Sequence, residues 1–294
     1  MKKILLISIL LCILTAQAQY VGTKPPKGTQ LNRANSRARG LVGYWLMNEG
    51  GGNTVYDLSG NGNHGAITNA TWTTGKYGSC LDFDGNGDDI ETPAIIPVSG
   101  TIIIWHQYGF DTGEDAADDY YMCGGKSIDT EVAFRWQTGQ TRVIPYTDAD
   151  AIGTYYPGTL VGWHQFVITW DSSAGKFYHN GVLELTESTD HTTSHTDNLI
   201  IGAKDAGGDT DCFLGQIDNV TLFNRALSQS EIQSLCADPF QLLGQPKELY
   251  VSAGEAPPAG NGQVIPIMIT SASWWLAAII LMTMAGCYLK RKAA

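Results

Sequence analysis

Between Phe213 and Leu235 the chain reads F-L-G-Q-I-D-N-V-T-L-F-N-R-A-L-S-Q-S-E-I-Q-S-L, and few folds accommodate that stretch. β-Branched and aromatic residues dominate from Phe213 to Phe223, which predicts a strand. Side chains alternate along a strand, so Asp218, Val220 and Leu222 are expected on one face. If the two apolar residues enter a core, the Asp218 carboxylate enters with them and needs a partner there. The strand must stop at Asn224-Arg225. Ser228 and Glu231 then have capping-box spacing, with Ile232 and Leu235 as the apolar stripe of a short helix.

The middle of the chain carries further strand signals separated by turn residues. Thr101-Ile102-Ile103-Ile104-Trp105 is a nearly continuous apolar run, as expected of a strand covered on both faces. From Gly162 to Trp170 the pattern alternates, placing His164, Phe166, Ile168 and Trp170 on one side. Lys176–His179, Asn180-Gly181 and Val182–Leu185 predict a hairpin, because Asn-Gly suits a type I′ turn. Helical credentials are confined to the segment after Ser228.

Gly40-Leu41-Val42-Gly43-Tyr44-Trp45, Asn48-Glu49-Gly50 and Asp57-Leu58-Ser59-Gly60-Asn61-Gly62-Asn63 precede these elements. Leu81-Asp82-Phe83-Asp84-Gly85 and Tyr178-His179-Asn180-Gly181-Val182 follow in order. With the closing strand and helix, these motifs resemble the laminin-G-like, concanavalin-A-type jelly rolls. The resemblance implies an all-β, two-sheet antiparallel sandwich over residues 40–237 with one short C-terminal helix. It leaves function open, since such folds host lectins, adhesion modules and glucanases. It further implies a structural Ca2+ where the first strand meets the last, with Glu49, Asp57 and Asp218 as oxygen donors. The alternative is that Glu49 and Asp57 stabilise turns while Asp218 accepts backbone or Arg225 hydrogen bonds.

The chain's ends predict export and anchoring. Met1–Ala18 has the Lys2-Lys3 end, the apolar run and the A-x-A site of a signal peptide. Residues 19–39 read as a flexible basic arm with Lys24, Lys27, Arg33, Arg37 and Arg39 and no acid. After the domain, residues 238–264 read as a Pro/Gly linker and 265–289 as a transmembrane helix. The basic tail 290–294 is then expected to stay cytoplasmic, with the domain facing outward. In an oxidising compartment Cys80, Cys123, Cys212 and Cys236 are expected to pair, by preference as Cys80–Cys123 and Cys212–Cys236.

Charge and motifs narrow the function. From Gly40 to Pro239 there are 7 Lys and Arg against 27 Asp and Glu, a balance of −20 that disfavours nucleic acid as a partner. The resemblance implies that a laminarinase-type enzyme on this fold would carry its acid and nucleophile as alternating carboxylates on one strand, close to the separation of about 5 Å that retaining hydrolysis needs. No such alternating run is present. Asp111, Glu114, Asp115, Asp118 and Asp119 read instead as a loop, and Asp84–Asp88 as a Gly-Asn turn. His191 and His195 are expected in a solvated loop. Most aromatics belong to the core, whereas Tyr155-Tyr156 before Pro157 reads as an exposed, ligand-binding loop tip. The expectation is a non-catalytic recognition module binding glycans or a surface protein. A glycan hydrolase and a purely structural envelope protein are the alternatives.

Overall fold

The computed structural model describes residues 23–108, 119–125, 132–137, 142–147, 150–155, 160–192, 197–204 and 212–244. After a 3-10 turn, β1 (Leu41–Trp45), β2 (Thr54–Val55), β3 (Gly65–Thr68) and β4 (Thr71–Thr74) open the domain. They are followed by β5 (Ser79–Asp84), β6 (Asp89–Ile95) and the long β7 (Gly100–Tyr108). Next come β8 (Asp119–Tyr121), β9 (Cys123–Gly125), β10 (Val132–Gln137), β11 (Arg142–Thr147) and β12 (Asp150–Ala151). β13 (His164–Trp170), β14 (Gly175–His179), β15 (Val182–Glu187), β16 (Asn198–Ile201) and β17 (Leu214–Phe223) lead into α1 (Gln229–Ala237).

All pairings between these strands are antiparallel. The large sheet runs β15-β14-β13-β7-β17-β5-β4, and β1 also pairs with β17. Two smaller sheets, β2-β3-β6-β16-β9 and β12-β11-β10-β8, supply the opposing layer. Ile90, Leu199 and Ile201 from one and Phe134 from the other meet Ile102, Ile104, Phe166 and Trp170 of the large sheet in a single core. Trp45 lies opposite Val220, and both belong to that core. The first and last strands of the sandwich are neighbours.

The large sheet is also covered on its outer face. Ile232 and Leu235 of α1, with Leu227, Phe240, Leu242 and Leu243, pack over Tyr44, Ile103, Val167, Tyr178 and Phe223. This second layer explains why the 101–105 run is apolar on both sides rather than alternating. The helix begins as its sequence dictates: Ser228 N–H donates to Glu231 Oε2 at 2.9 Å, and Glu231 N–H returns to Ser228 Oγ. Arg225 clamps the same carboxylate with Nη1 at 3.1 Å and Nη2 at 2.7 Å. The β14–β15 hairpin turns at Asn180 and Gly181, both at positive φ (49° and 78°), as a type I′ turn requires.

Several expectations are corrected. The packed unit is larger than residues 40–237. Leu31 bridges Leu243, Asn32 N–H donates to the Leu242 carbonyl at 2.9 Å, and Gly244 N–H donates to the Gln30 carbonyl at 2.8 Å. The arm is irregular, as Pro25-Pro26 demands, yet it is fastened to the start of the supposed linker. Phe240 and Leu242 there are fully buried, because apolar side chains after α1 find the uncovered outer face of the sheet. Among the described residues no disulfide forms, and all four domain cysteines are thiols. Cys80 sits in β5 beside Asp218, whereas Cys236 sits in α1 against Gly181. His191 is buried rather than solvated, its N–H donating to the Asp171 carbonyl at 3.0 Å.

The signal peptide, residues 245–264 of the linker, the transmembrane segment 265–289 and the tail lie outside the described residues. So do His195, Tyr156 and the acidic loop from Asp111 to Asp118. Among the described residues no helix is long and apolar enough to cross a membrane.

Candidate functional site

β17 does not alternate strictly. Its register against β7 slips between Ile217 and Val220, and Ile217, Val220 and Leu222 all enter the main core. Two residues, Asp218 and Asn219, therefore stand between consecutive inward side chains. This bulge turns Asp218 away from the Val220 face on which plain alternation would place it. Its carboxylate meets the arm instead: Lys24 Nζ lies 2.8 Å from Asp218 Oδ1, with side-chain exposures of 5% and 0%. The Tyr77 N–H donates to Asp218 Oδ2 at 3.1 Å. Lys24 also donates to the carbonyls of Met47 and Ser79. Burial pushes the Lys24 ammonium down and the Asp218 carboxyl up from their ordinary values, and in each case the opposing charge resists the shift.

The three expected Ca2+ donors do not converge. Asp57 Oδ1 accepts N–H groups from Tyr44 (3.0 Å) and Ser59 (2.8 Å). Asp57 Oδ2 accepts the Ser59 hydroxyl (2.7 Å) and the Asn63 N–H (3.0 Å). That carboxylate organises the turn after β2. Asp218 is neutralised by an internal ammonium. Glu49 Oε1 accepts the Tyr56 N–H at 3.0 Å. Among the described residues no group of three or more ligating side chains is placed to hold a metal ion. The residues do not fit a calcium cradle.

A second polar cluster lies inside the sandwich. His164 stands opposite His106 across β13 and β7, and His179 stands opposite Phe166 across β14 and β13. Three imidazoles thus step diagonally over adjacent strands. Tyr155 Oη lies 2.9 Å from His179 Nδ1, and His179 Nε2 lies 2.9 Å from His164 Nδ1. His106 is fully buried, packed on Phe166 at 4.3 Å and Tyr108 at 5.0 Å between ring centroids. Neither of its nitrogens has a hydrogen-bond partner among the described residues. Burial, then the neighbouring His164 and His179, pushes its pKa well down. Burial, then His164, lowers His179 to about 4. The three imidazoles are all pushed below their ordinary value, with His106 fully buried and His164, His179 and Tyr155 half-buried. Tyr155 belongs to the same network and packs on Phe177 at 5.3 Å.

Two open concavities among the described residues lie between the arm and the loop that joins β1 to β3. The first, about 440 Å³, is walled by Pro26–Thr29 on one side and by Asn48, Glu49, Tyr56 and Leu58 on the other. Tyr56 is 54% exposed. Its ring is held edge-on by His64 at 5.2 Å, while its own N–H is tied to Glu49. Glu49 Oε2 is buried and has no hydrogen-bond partner among the described residues. The second hollow, about 390 Å³, is lined by Arg33, Asn35, Ser36, Arg39, Ser59 and Asn61 among others. Lys24 makes both possible, because its ion pair holds the arm in place.

The sequence did not single out Lys24, Tyr56 or the histidine ladder. The signal for the ladder is the alternation that places His164 in line with Phe166 and Trp170. Lys24 gave none, because its partner is nearly two hundred residues away.

The fold agrees with comparison to known proteins. The family model Laminin_G_3, described as the concanavalin A-like lectin/glucanases superfamily, matches residues 84–233. The chain belongs to this family. Lys24, Tyr56 and both hollows lie outside the matched residues.

Among solved structures, a mutant of Trypanosoma rangeli sialidase displaying trans-sialidase activity aligns with a TM-score of 0.53 at 18% identity, over 68% of this chain and 33% of the other. The botulinum neurotoxin serotype D binding domain aligns with a TM-score of 0.54 at 15% identity, over 69% and 52%. Domain 4 of AbnA, an extracellular arabinanase of Geobacillus stearothermophilus solved with arabinotriose, aligns with a TM-score of 0.52 at 18% identity, over 67% and 98%. The chain thus spans about a third of the sialidase and half of the toxin domain, but nearly all of the arabinanase domain. At these identities the likeness is one of fold. No curated protein matches the chain.

Proposed function

We propose that this domain is a non-catalytic recognition module that binds glycans in the hollow beside Tyr56. The observation that carries the proposal is the pairing of an exposed tyrosine with the unpartnered, buried Glu49 Oε2. An aromatic face stacks on the C–H face of a sugar ring, and a desolvated carboxylate oxygen accepts a sugar hydroxyl. Asn48 and Lys27 flank the same hollow and add polar groups at its rim. Support for a binding rather than a hydrolytic role comes from the polar cluster inside the sandwich, where imidazoles and a phenol bond to one another. Retaining hydrolysis calls for two carboxylates about 5 Å apart. Export by residues 1–18 and anchoring by residues 265–289 belong to the same proposal and rest on their sequence alone.

The test is glycan-array binding by the whole chain, followed by titration of Tyr56→Ala and Glu49→Gln. Each substitution is expected to weaken binding at least tenfold. Tyr56→Ala leaves the melting temperature nearly unchanged, because the ring is exposed. Binding that survives Tyr56→Ala, or an array without any signal, refutes the site.

A further inference from the structure

The two hollows are built from successive stretches of the same arm and the same loop. Arm residues Pro26–Thr29 wall the first, and the arm from Leu31 to Gly40 contributes to the second. On the facing loop, Leu58 belongs to the first and Ser59 to the second. An oligosaccharide lying along this seam passes from an aromatic platform to a basic hollow. The second hollow carries two guanidiniums, Arg33 and Arg39, and no carboxylate among its lining residues.

Three of its neutral polar side chains are already committed to the frame. Asn35 Nδ2 donates to the Gln241 carbonyl at 2.9 Å, Asn61 Nδ2 to the Val42 carbonyl at 2.9 Å, and Ser59 Oγ to Asp57 at 2.7 Å. The guanidiniums are not. Among the described residues neither Arg33 nor Arg39 has a side-chain hydrogen bond or ion pair. Arg33 Nη2 lies directly over Gly60, where any β-carbon would collide with it. This glycine lets the fork approach the loop backbone.

From this geometry we infer that the Arg33/Arg39 hollow is an acidic subsite, and that the module's ligand is a glycan bearing carboxylate or sulfate groups. The inference rests on the Tyr56 proposal and names the ligand class for the same seam. Planar guanidinium forks match the two oxygens of such groups, and a charge-assisted contact is roughly twice as strong as a neutral one. The acidic groups must be sparse along the ligand. The domain balance of −20 repels a dense polyanion, whereas an isolated anion feels chiefly the charges within the Debye length of about 8 Å.

The experiment measures binding of the whole chain and of its Arg33→Gln/Arg39→Gln variant to matched polysaccharide pairs. Glucuronoxylan against neutral xylan probes the carboxylate source. Carrageenan against agarose probes the sulfate source. The expected result is at least tenfold tighter binding to one acidic member than to its neutral match. The double variant should lose that margin, keep the neutral affinity and melt as the parent does, since both arginines are exposed. Binding equally to acidic and neutral members leaves the Tyr56 proposal standing and overturns the acidic subsite. An unchanged margin in the double variant overturns it as well, and so does equally tight binding to polyglutamate, which identifies a general anion patch. No binding to any polysaccharide overturns both proposals.

Discussion

Lys24 Nζ and Asp218 Oδ1 lie 2.8 Å apart in the interior and are separated by 194 positions of chain. One belongs to the arm before the first strand and the other to the bulge of the last. Their contact fixes the arm over the outer face of the sheet. A buried pair contributes little net stability over an apolar pair of the same shape, but removing one member strands a charge.

Lys24→Met is therefore expected to destabilise the domain by about 3–5 kcal/mol, and Asp218→Leu by a similar amount. The double variant Lys24→Met/Asp218→Leu should recover most of that loss. Urea unfolding of the four proteins gives the coupling directly. Additive losses in the double variant would mean that the two groups act separately.

Calcium removal is expected to change nothing. The oxygens of Asp57 and Asp218 are committed to backbone N–H groups, a hydroxyl and the Lys24 ammonium. Melting with chelator and with millimolar calcium should give the same midpoint. An upward shift with calcium would show that the ion displaces these partners.

Local pattern made the sandwich legible. The capped helix, the Asn180-Gly181 hairpin and the doubly covered β7 follow from propensity, turn chemistry and hydrophobic period, which act over a few residues. Asp218 shows where that ends. Its burial was readable, but one extra residue at the bulge reversed the face it serves, and only the pairing with β7 reveals the slip. The arm misled for a related reason. Pro25-Pro26 and Gly28 do exclude regular structure, but irregular backbone can still be fastened by distant partners. Tyr56 and the two arginines became a candidate site only once the arm and the β1–β3 loop were seen to face each other.

The boundaries carry a stability prediction. A chain ended at Ala237 loses Phe240, Leu242 and Leu243, all buried. Burying such side chains contributes roughly 1.5–3 kcal/mol each, while whole domains have only about 5–15 kcal/mol. A protein spanning residues 40–237 is expected to be largely unfolded or aggregated at 37 °C, and one spanning 23–244 to unfold cooperatively. Circular dichroism melts of the two decide this, and equal midpoints would place the arm and tail outside the folding unit.

The histidine ladder predicts acid sensitivity. His106 and His164 are held below their ordinary value mainly by burial, and His179 is held at about 4. For each, the unfolded chain takes a proton near pH 6.5 while the folded chain refuses it. Between pH 6.5 and about 4 the unfolded state then binds more protons, and stability falls as the pH drops. The groups facing the ladder offset this only in part: the Val161 backbone raises His164, Lys76 pushes it further down, and Glu184 acts on Tyr155. Asp218 contributes the opposite slope at low pH, because its folded value is raised. The diagnostic is therefore the difference between variants. His106→Leu removes an imidazole without hydrogen-bond partners and should gain about 1 kcal/mol at neutral pH, since an unsatisfied buried polar group costs roughly 1–3 kcal/mol. Its advantage over the parent should widen from pH 7.5 to pH 4.5, read as the gap between their melting temperatures. A gap independent of pH would mean that the folded protein protonates His106 as readily as the unfolded chain does, so that burial does not hold it neutral.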